Sequence, residues 1–412
     1  MYQHLLGLES PRLGGRSAWR VAEVRLDVGA ETIEVVAEHP EGTPAAAGCP
    51  ECGLSLACYD HAPPRKWRHL DSCQFKTYLI ASIPRVQCPE HGVRQVGVPW
   101  AEGSSRFTLL FERLAIDVLL ATQTVKGAMG LLRTNWDQTW NIVQRAVARG
   151  KSRKVDGPLP RIGIDEKAFS KGQRYLTLLY DLDHSTVEAI SDSNDTEAGI
   201  DCFSQLSEGQ IASVEAVAMD MSAAYVKAAK AVIPLADQKI VHDRFHVMQL
   251  ATTAVDQVRR GEHRLLGRGE TSPLTKTRYL WLTSLENLNE KQRGLLDEVC
   301  EQNLQTGKAW AYKEMLRDLW HHADAASATD YFKDWYKRVI HTKLAPIKKV
   351  ARTIKQRLAN VMSYCTHGIT NAVAEGVNSK IMAIKRRVGG YRNKQHFKTA
   401  IFFYCGGLNL YP

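Results

Sequence analysis

The sequence has no window approaching 18 uninterrupted apolar residues, so no membrane-spanning helix is expected. Residues 1–15 lack a basic segment followed by an apolar run, so no secretory signal is expected either. The nine cysteines are an odd number, which no complete disulfide framework would use. Together these absences point to a cytoplasmic protein with reduced thiols, whose clustered cysteines are read as metal ligands first. Acid is the scarcer charge. There are 44 Asp and Glu against 54 Lys and Arg, giving a net charge of +10 and a pI near 9.1. That balance favours nucleic acid or another anionic surface as partner. A length of 412 residues allows two to four domains.

The shortage of acid is sharpest in residues 342–398, where 13 Lys or Arg accompany one carboxylate, Glu375. A lone acid on a face shaped for polyanion repels the ligand unless a divalent cation sits between them. Residues 371–388 contain no Pro, and Gly389-Gly390 provides a stop, so an amphipathic helix is predicted. Its apolar stripe is Val373, Val377, Ile381, Ile384 and Val388. Asn371, Glu375, Asn378, Lys385 and Arg386 are predicted on the polar face. By itself this is also the pattern of a solvated helix with an ordinary surface Glu.

Residues 1–48 read as β-rich, with strands at 18–28 and 31–38. Two turn-like pairs follow, Cys49/Cys52 and Cys88/His91, each flanked by Pro and Gly, with a strand-like run at 75–86 leading into the second. Two tight turns that each present two ligands suit tetrahedral Zn²⁺. Cys58, His61, His69 and Cys73 lie between the pairs and are alternatives to His91. Arg65, Lys66 and Arg68 either meet phosphate or belong to a solvated loop. Helices predicted at 106–122, 124–132 and 135–149 have the helix-turn-helix layout, with Trp136, Gln138, Asn141 and Gln144 available to DNA. Plain helical packing gives the same pattern. Residues 151–160 read as a linker.

The next block reads as α/β. Strands are predicted at 161–165, 175–183, 186–190, 214–220 and 239–241, with helices at 195–207, 223–232 and from about His246. Three consecutive strands, then helix, strand, helix, strand is the order of a ribonuclease-H-like fold. Asp165 and Asp220 are then predicted at neighbouring strand ends, and Glu375 is the candidate third ligand of a two-Mg²⁺ site, because Mg²⁺ prefers oxygen donors. An Asp at a strand end is also an ordinary helix cap. Glu166, Asp181 and Asp183 compete for the assignment, and alternation allows only one of Asp165 and Glu166 into a site. Asp243 and His246 face either that site or the helix start. The 154 residues between Asp220 and Glu375 require a helical insertion, with Trp281, Trp310, Trp320 and Trp335 within it. One of these is expected to stack on an unpaired base near the cut, and the others to be core.

These motifs together resemble the transposases of the ISL-three family of bacterial insertion sequences. The resemblance rests on CPECG, CPEHG, WRHLD, PRVQC, VPW, SRFT, GIDEKAFSKG, VAMDMSAAY, HDRFH and NAVAEGVNSKIMAIKRRVGGYRN, and covers nearly the whole chain. It implies a β-rich zinc-binding domain (1–100), a helix-turn-helix (101–150), a ribonuclease-H-like DDE core (151–255 and 342–412) and a helical insertion (256–341). It implies Asp165, Asp220 and Glu375 as catalytic carboxylates holding two Mg²⁺ or Mn²⁺ ions, with Asp243 and His246 auxiliary. The implied reaction is hydrolysis at the element's ends, then attack of the freed 3′-OH on target DNA by a dimer in the bacterial nucleoid. Asn378, Lys385, Arg386, Arg387 and Arg392 are expected to hold the DNA strand. A non-catalytic DNA-binding regulator and a nuclease without strand joining are the alternatives.

Overall fold

The computed structural model describes residues 19–39, 48–170, 174–267, 272–369 and 371–412. The reading of residues 1–15, parts of the expected β-rich start and Lys171-Gly172 of the GIDEKAFSKG motif lie outside these. The chain divides into two compact units, residues 1–154 with 408–412, and residues 155–407.

In the first unit, alternation builds the sheet. β2 (Thr32–Glu38) turns Ile33, Val35 and Ala37 inward. It pairs antiparallel with β1 (Arg20–Asp27) and parallel with β5 (Lys76–Ala81), and β4 (Arg65–Arg68) completes the order β1-β2-β5-β4. The run expected as one strand over 75–86 is two. β6 starts afresh at Pro84 (Pro84–Cys88) and joins β3 (Cys58–His61) and β7 (Gly92–Gln95) in a separate sheet. Proline cannot donate to a continuing ladder, so the break falls there. Trp19, Trp67 and Trp100 pack edge-to-face at the centre of this core.

Three capped helices follow: α1 (Leu109–Thr122), α2 (Val125–Leu132) and α3 (Trp136–Ser152). Thr108 and Thr124 accept from the N–H groups of Phe111 and Gly127, and Asn135 forms a reciprocal capping box with Gln138. Glu112 is buried and accepts from both Arg145 and Arg149, tying α1 to α3.

The second unit holds a five-stranded sheet of order β10-β9-β8-β11-β12. β8 (Arg161–Ser170), β9 (Arg174–Asp181) and β10 (Thr186–Asp192) are antiparallel neighbours, while β11 (Ala216–Met219) and β12 (Ile240–His242) run parallel to β8. β8 is longer than the expected 161–165, because pairing with β9 continues from Asp165↔Leu178 to Ser170↔Arg174. Asp165 therefore lies within a strand rather than at its end. Ile162, Ile164, Val217 and Met219 share a core with α4 (Thr196–Ser204) and α6 (Ala223–Val232), which flank the short α5 (Glu208–Ser213). α7 (Ala236–Lys239) leads into β12.

Asp243 caps the long α8 (Arg244–Leu265), which leaves the sheet and enters a helical body. That body contains α9 (Arg278–Leu282), α10 (Glu290–Cys300), α11 (Gln305–Arg317), α12 (Ala325–Ile340), α13 (Ala345–Gln356) and α14 (Leu358–His367). Its continuous core reaches from Val247 to Met362, wider on both sides than the expected 256–341. The chain then returns to the sheet through α15 (Ala372–Arg387) and α16 (Lys394–Cys405).

One buried group makes the first unit sensitive to acid. His69 is 4 % exposed, and its Nδ1 lies 2.9 Å from the Thr108 hydroxyl. Burial, and then the Arg68 charge, push its pKa down to about 4. Its contribution to stability is therefore complete above the unfolded value near 6.5 and is lost as pH falls through about 4. The full difference is about 3 kcal/mol. Denaturant midpoints followed by tryptophan fluorescence should fall across that window, and more steeply than in His69→Asn. Equal slopes would refute the assignment, since loss of zinc in acid is common to both proteins.

Candidate active site and zinc centre

The zinc centre is built from two turns. Gly48 has φ +62°, and a Cβ there would meet the Leu54 carbonyl oxygen at 2.8 Å, so this turn requires glycine. The N–H of Gly53 donates to the Cys49 carbonyl, closing the loop around Cys49 and Cys52. The turn between β6 and β7 presents His91 beside Cys88. The Cys88 Sγ–His91 Nδ1, Cys52 Sγ–Cys88 Sγ and Cys49 Sγ–His91 Nδ1 distances are 3.5, 3.7 and 3.9 Å. Ligands about 2.0–2.3 Å from one tetrahedral ion stand about 3.4–3.8 Å apart, so the four residues fit Zn²⁺. The N–H of Cys52 holds the Cys49 thiol below its usual pKa. The alternative ligands lie elsewhere: Cys58 pairs with His61, His69 with Thr108, and Cys73 is exposed.

Among the described residues, this is the only group of three or more Cys, His, Asp or Glu whose ligand atoms all lie within 4.8 Å. Asp165, Asp220 and Glu375 are arranged more loosely. Continuing the Ala218↔Gly163 register by two residues brings Asp220 level with Asp165, on the same face. Asp220 accepts from the Ser222 N–H at 2.7 Å. The turn that carries it is held by His242 Nδ1–H donating to the Asp220 carbonyl and by Arg357 donating to the Met221 carbonyl.

Asp165 Oδ1 accepts from the Glu166 N–H, and Oδ2 accepts from Asn378 Nδ2 at 2.7 Å. Burial, and then the Glu166 charge, push its carboxyl up to about 6. Glu166 is itself raised by burial and next by Asp220, while Tyr225 hydrogen-bonds it. His246 acts on both Asp165 and Glu166. Glu166 thus belongs to the same charged cluster, although alternation had suggested that only one of the two acids would enter. Asp181 and Asp183 lie at the far end of β9, engaged with His184 and Arg161.

Glu375 is exposed in the first turn of α15 and lines a cavity together with Asp243. α15 covers the predicted 371–388, and its end is closed by Gly389 and Gly390, at φ +68° and +102°, whose N–H groups return to the carbonyls of Arg386 and Lys385. Its polar face differs from expectation. Asn371 and Asn378 are buried against the sheet, because Asn378 bridges Asp165 and the Tyr180 hydroxyl, which donates at 2.8 Å. Asn378 is therefore corrected from a DNA contact to an internal one. Asp243 is likewise internal: Oδ1 caps α8 and Oδ2 accepts from the Asn371 N–H at 2.7 Å.

Several of the expected DNA-facing cations are spent within the fold. Arg68 is 6 % exposed and bound to the His69 carbonyl and Asp71, and Arg65 donates to the Ser105 carbonyl. Lys385 donates to the Ala168 carbonyl. Arg68 is thereby corrected from a phosphate contact to an internal one, while Arg65 and Lys385 are half-exposed with one such contact each. Lys66 is exposed and paired with Glu34, an exchangeable surface contact. Lys66 and Gln138 line one cavity of about 330 Å³ with Arg106 and Arg133. Trp136, Gln138, Asn141 and Gln144 are exposed along α3, and Arg386, Arg387 and Arg392 are exposed after and within the last turn of α15. The capping role of Gln138 uses its carbonyl oxygen.

A zinc ribbon, a helix-turn-helix and a mixed α/β domain with acids gathered at its sheet define a DNA-processing enzyme of the transposase class. Residues 162–401, more than half the chain, match the ISL3 DDE family model described as a transposase. Residues 45–91 match the zinc finger of transposases IS204/IS1001/IS1096/IS1165, and residues 97–147 match the helix-turn-helix domain of transposase family ISL3. The chain belongs to the ISL3 transposase family. It is 27% identical over 356 residues to the transposase for insertion sequence element IS1001 of Bordetella parapertussis, covering 85% of this chain and 86% of that protein. It is 27% identical over 424 residues to the transposase for IS1557 of Mycobacterium tuberculosis, covering 96% and 93%. Among the described residues no helix is long and apolar enough to cross a membrane.

Two outcomes check these assignments. Cys49→Ser should lose zinc, measured by metal content, and lower the melting temperature of the first unit; unchanged zinc would refute the site. Asn378→Leu leaves the Tyr180 hydroxyl and Asp165 without their shared partner, at a cost of about 2 kcal/mol. Urea unfolding of the second unit should shift accordingly. A change in DNA affinity with unaltered stability would instead restore Asn378 to the DNA face.

Proposed function

We propose that the chain binds the terminal inverted repeats of an insertion sequence and cuts and joins DNA by a DDE reaction. The observation that supports this reading is that Asp165 on the central strand accepts from Asn378 of the Glu375-bearing helix, while the parallel β8–β11 register, continued by two residues, brings Asp220 level with Asp165. The strand order, three antiparallel strands followed by two parallel ones with helices on the crossovers, supports a ribonuclease-H-like reading of the core. The donor set fits Mg²⁺ or Mn²⁺, since it consists of carboxylate oxygens. Two such ions, when bound, would supply Lewis-acid activation of the attacking oxygen and stabilisation of the leaving oxygen.

The protein's own groups have distinct tasks in this reading. Asp165 and Asp220 offer oxygens from neighbouring strands, and Glu375 offers one from the facing helix. Asn378 and Tyr180 orient Asp165, while Asp243 seats the start of α15 and thereby positions Glu375. Arg386, Arg387 and Arg392 hold the DNA strand through its phosphates, and α3 presents Trp136, Asn141 and Gln144 to the duplex. The chain acts as a dimer on paired ends. The helical body of this proposal follows its own core, from Val247 to Met362.

The test is incubation with labelled terminal-repeat DNA, Mg²⁺ and a target plasmid. Cleaved and joined products are expected. Binding without cleavage would favour a regulator, and cleavage without joining a nuclease. Glu375→Gln should reduce cleavage about a thousandfold, equivalent to about 4 kcal/mol, and leave DNA binding intact or tighter. Weaker binding would contradict the placement of Glu375 at a phosphate site.

A further inference from the structure

Residues 408–412 follow α16 in the chain but belong to the first unit, although everything from Val155 to Gly407 belongs to the second. The chain therefore passes between the units twice, from Lys154 to Val155 and from Gly407 to Leu408. The first passage lies in a run of exposed residues, 151–156. The second is tight. Gly407 has φ +60°, and a Cβ there would stand 2.6 Å from Thr186 Cγ2 of β10. A Cβ on Gly150 of α3 would stand 2.6 Å from the Leu408 Cβ. Neither glycine leaves room for a side chain, so each flank of the Gly407–Leu408 bond is packed closely within its own unit.

The surface that receives the segment is built by α1 and α3. Leu410 is 5 % exposed, and its carbonyl accepts from Arg149 Nη1 at 2.7 Å. Arg149 is itself buried and bound on its other sides to Glu102 and Glu112, so without that carbonyl a buried donor would lose its partner. Arg153 donates to the Tyr411 carbonyl at 2.6 Å, and the Tyr411 hydroxyl donates to Asp117 at 2.7 Å. The Arg113 guanidinium lies 5.3 Å from the centre of the Tyr411 ring. Arg113 and Asp117 are one turn apart on α1, and Arg149 and Arg153 one turn apart on α3, so two adjacent residues of the segment bridge both helices. Main-chain carbonyls, one buried apolar side chain and one hydroxyl carry the docking.

We propose that the α1–α3 surface is a docking site for residues 408–412 of the same chain, and that the docked segment is a second tether keeping DNA held by the helix-turn-helix within reach of the catalytic unit. The proposal rests on the reading of the second unit as the cutting unit, but docking and tethering are measurable without cutting. A single exposed linker would give the bound DNA only the effective concentration of a flexible connection. A second, short connection at the end of α3 raises that concentration and adds no contact to DNA. Docking engages Arg149 to Arg153, beyond Trp136, Asn141 and Gln144, so it leaves the face proposed for DNA open.

The experiment compares three forms of the full chain. One is wild type, and one is Leu410→Asp, which puts a charge at the buried position. The third carries about a dozen Gly and Ser residues between Gly407 and Leu408, which lengthens the tether and keeps every docking residue. Leu410→Asp should lower the melting temperature of the first unit by about 5 °C, while the insertion leaves it unchanged. Small-angle X-ray scattering should show a broader distance distribution in both variants than in wild type. The insertion variant should bind terminal-repeat DNA within about twofold of wild type and cut it about tenfold more slowly. Unchanged melting in Leu410→Asp would overturn the docking, and unchanged scattering or unchanged cutting in the insertion variant would overturn the tether. Should Leu410→Asp fail to fold, Tyr411→Phe removes only the hydroxyl bond to Asp117 and should shift melting by about 2 °C. Melting that depends on protein concentration would place the segment on a second copy and overturn docking within one chain. Failure of wild type to cut removes the cutting reading alone, since scattering and melting still decide the tether.

Discussion

Helix α15 rests on the sheet through two carboxylates. Asp165 accepts from Asn378, and Asp243 accepts from the Asn371 N–H, 2.7 Å in each case. Both contacts are removed from water, where an unmet donor or acceptor is costly, so they define one seating of the helix. Tyr180 fixes which end of the Asn378 amide faces Asp165. Gly163 makes the seating possible, since a Cβ there would stand 2.9 Å from Leu182 and 3.0 Å from Asn371. The same geometry puts Glu375 on the exposed side of the first turn, facing the cavity rather than the sheet.

This arrangement gives the acids of the second unit unequal roles. Asp243 is committed at both oxygens to holding two helices, and Asp165 is half committed to α15. Glu166 is raised by burial and next by the charge of Asp220 on the neighbouring strand. Burial disfavours the charged form of Asp165, which a divalent cation would restore. In the proposed reading, metal binding and the docking of the helix are two uses of the same carboxylate.

A similar division runs through the basic residues. Within the 342–398 stretch, Arg357, Lys385, Lys348, Lys394 and Lys398 each bind a carbonyl or a carboxylate of their own unit. In the first unit, Arg145 and Arg149 neutralise Glu112. Arg386, Arg387 and Arg392 remain exposed at and after the end of α15, whereas the open face of α3 is polar and aromatic rather than basic. Net charge identified the kind of partner correctly, since the helix-turn-helix and transposase domains are DNA-binding, but it overstated how many charges are available.

Local chemistry was legible in the sequence alone. Turn glycines and ligand spacing revealed the zinc centre, the helices expected at 106–122, 124–132 and 135–149 start within three residues of the observed Leu109, Val125 and Trp136, and the order of apolar runs predicted the strands of the sheet. These depend on neighbours a few residues apart, which periodicity and spacing record directly. Tertiary structure alone decided that Asp165 lies within β8, that Asn378 faces inward, that Arg68 is buried and that Glu166 joins the acid cluster. It also set the extent of the helical body and brought Phe245 and Trp320 to one cavity with Glu375. Each of these depends on a partner far along the chain, and the amphipathic pattern of one segment does not say which distant group will satisfy a polar side chain.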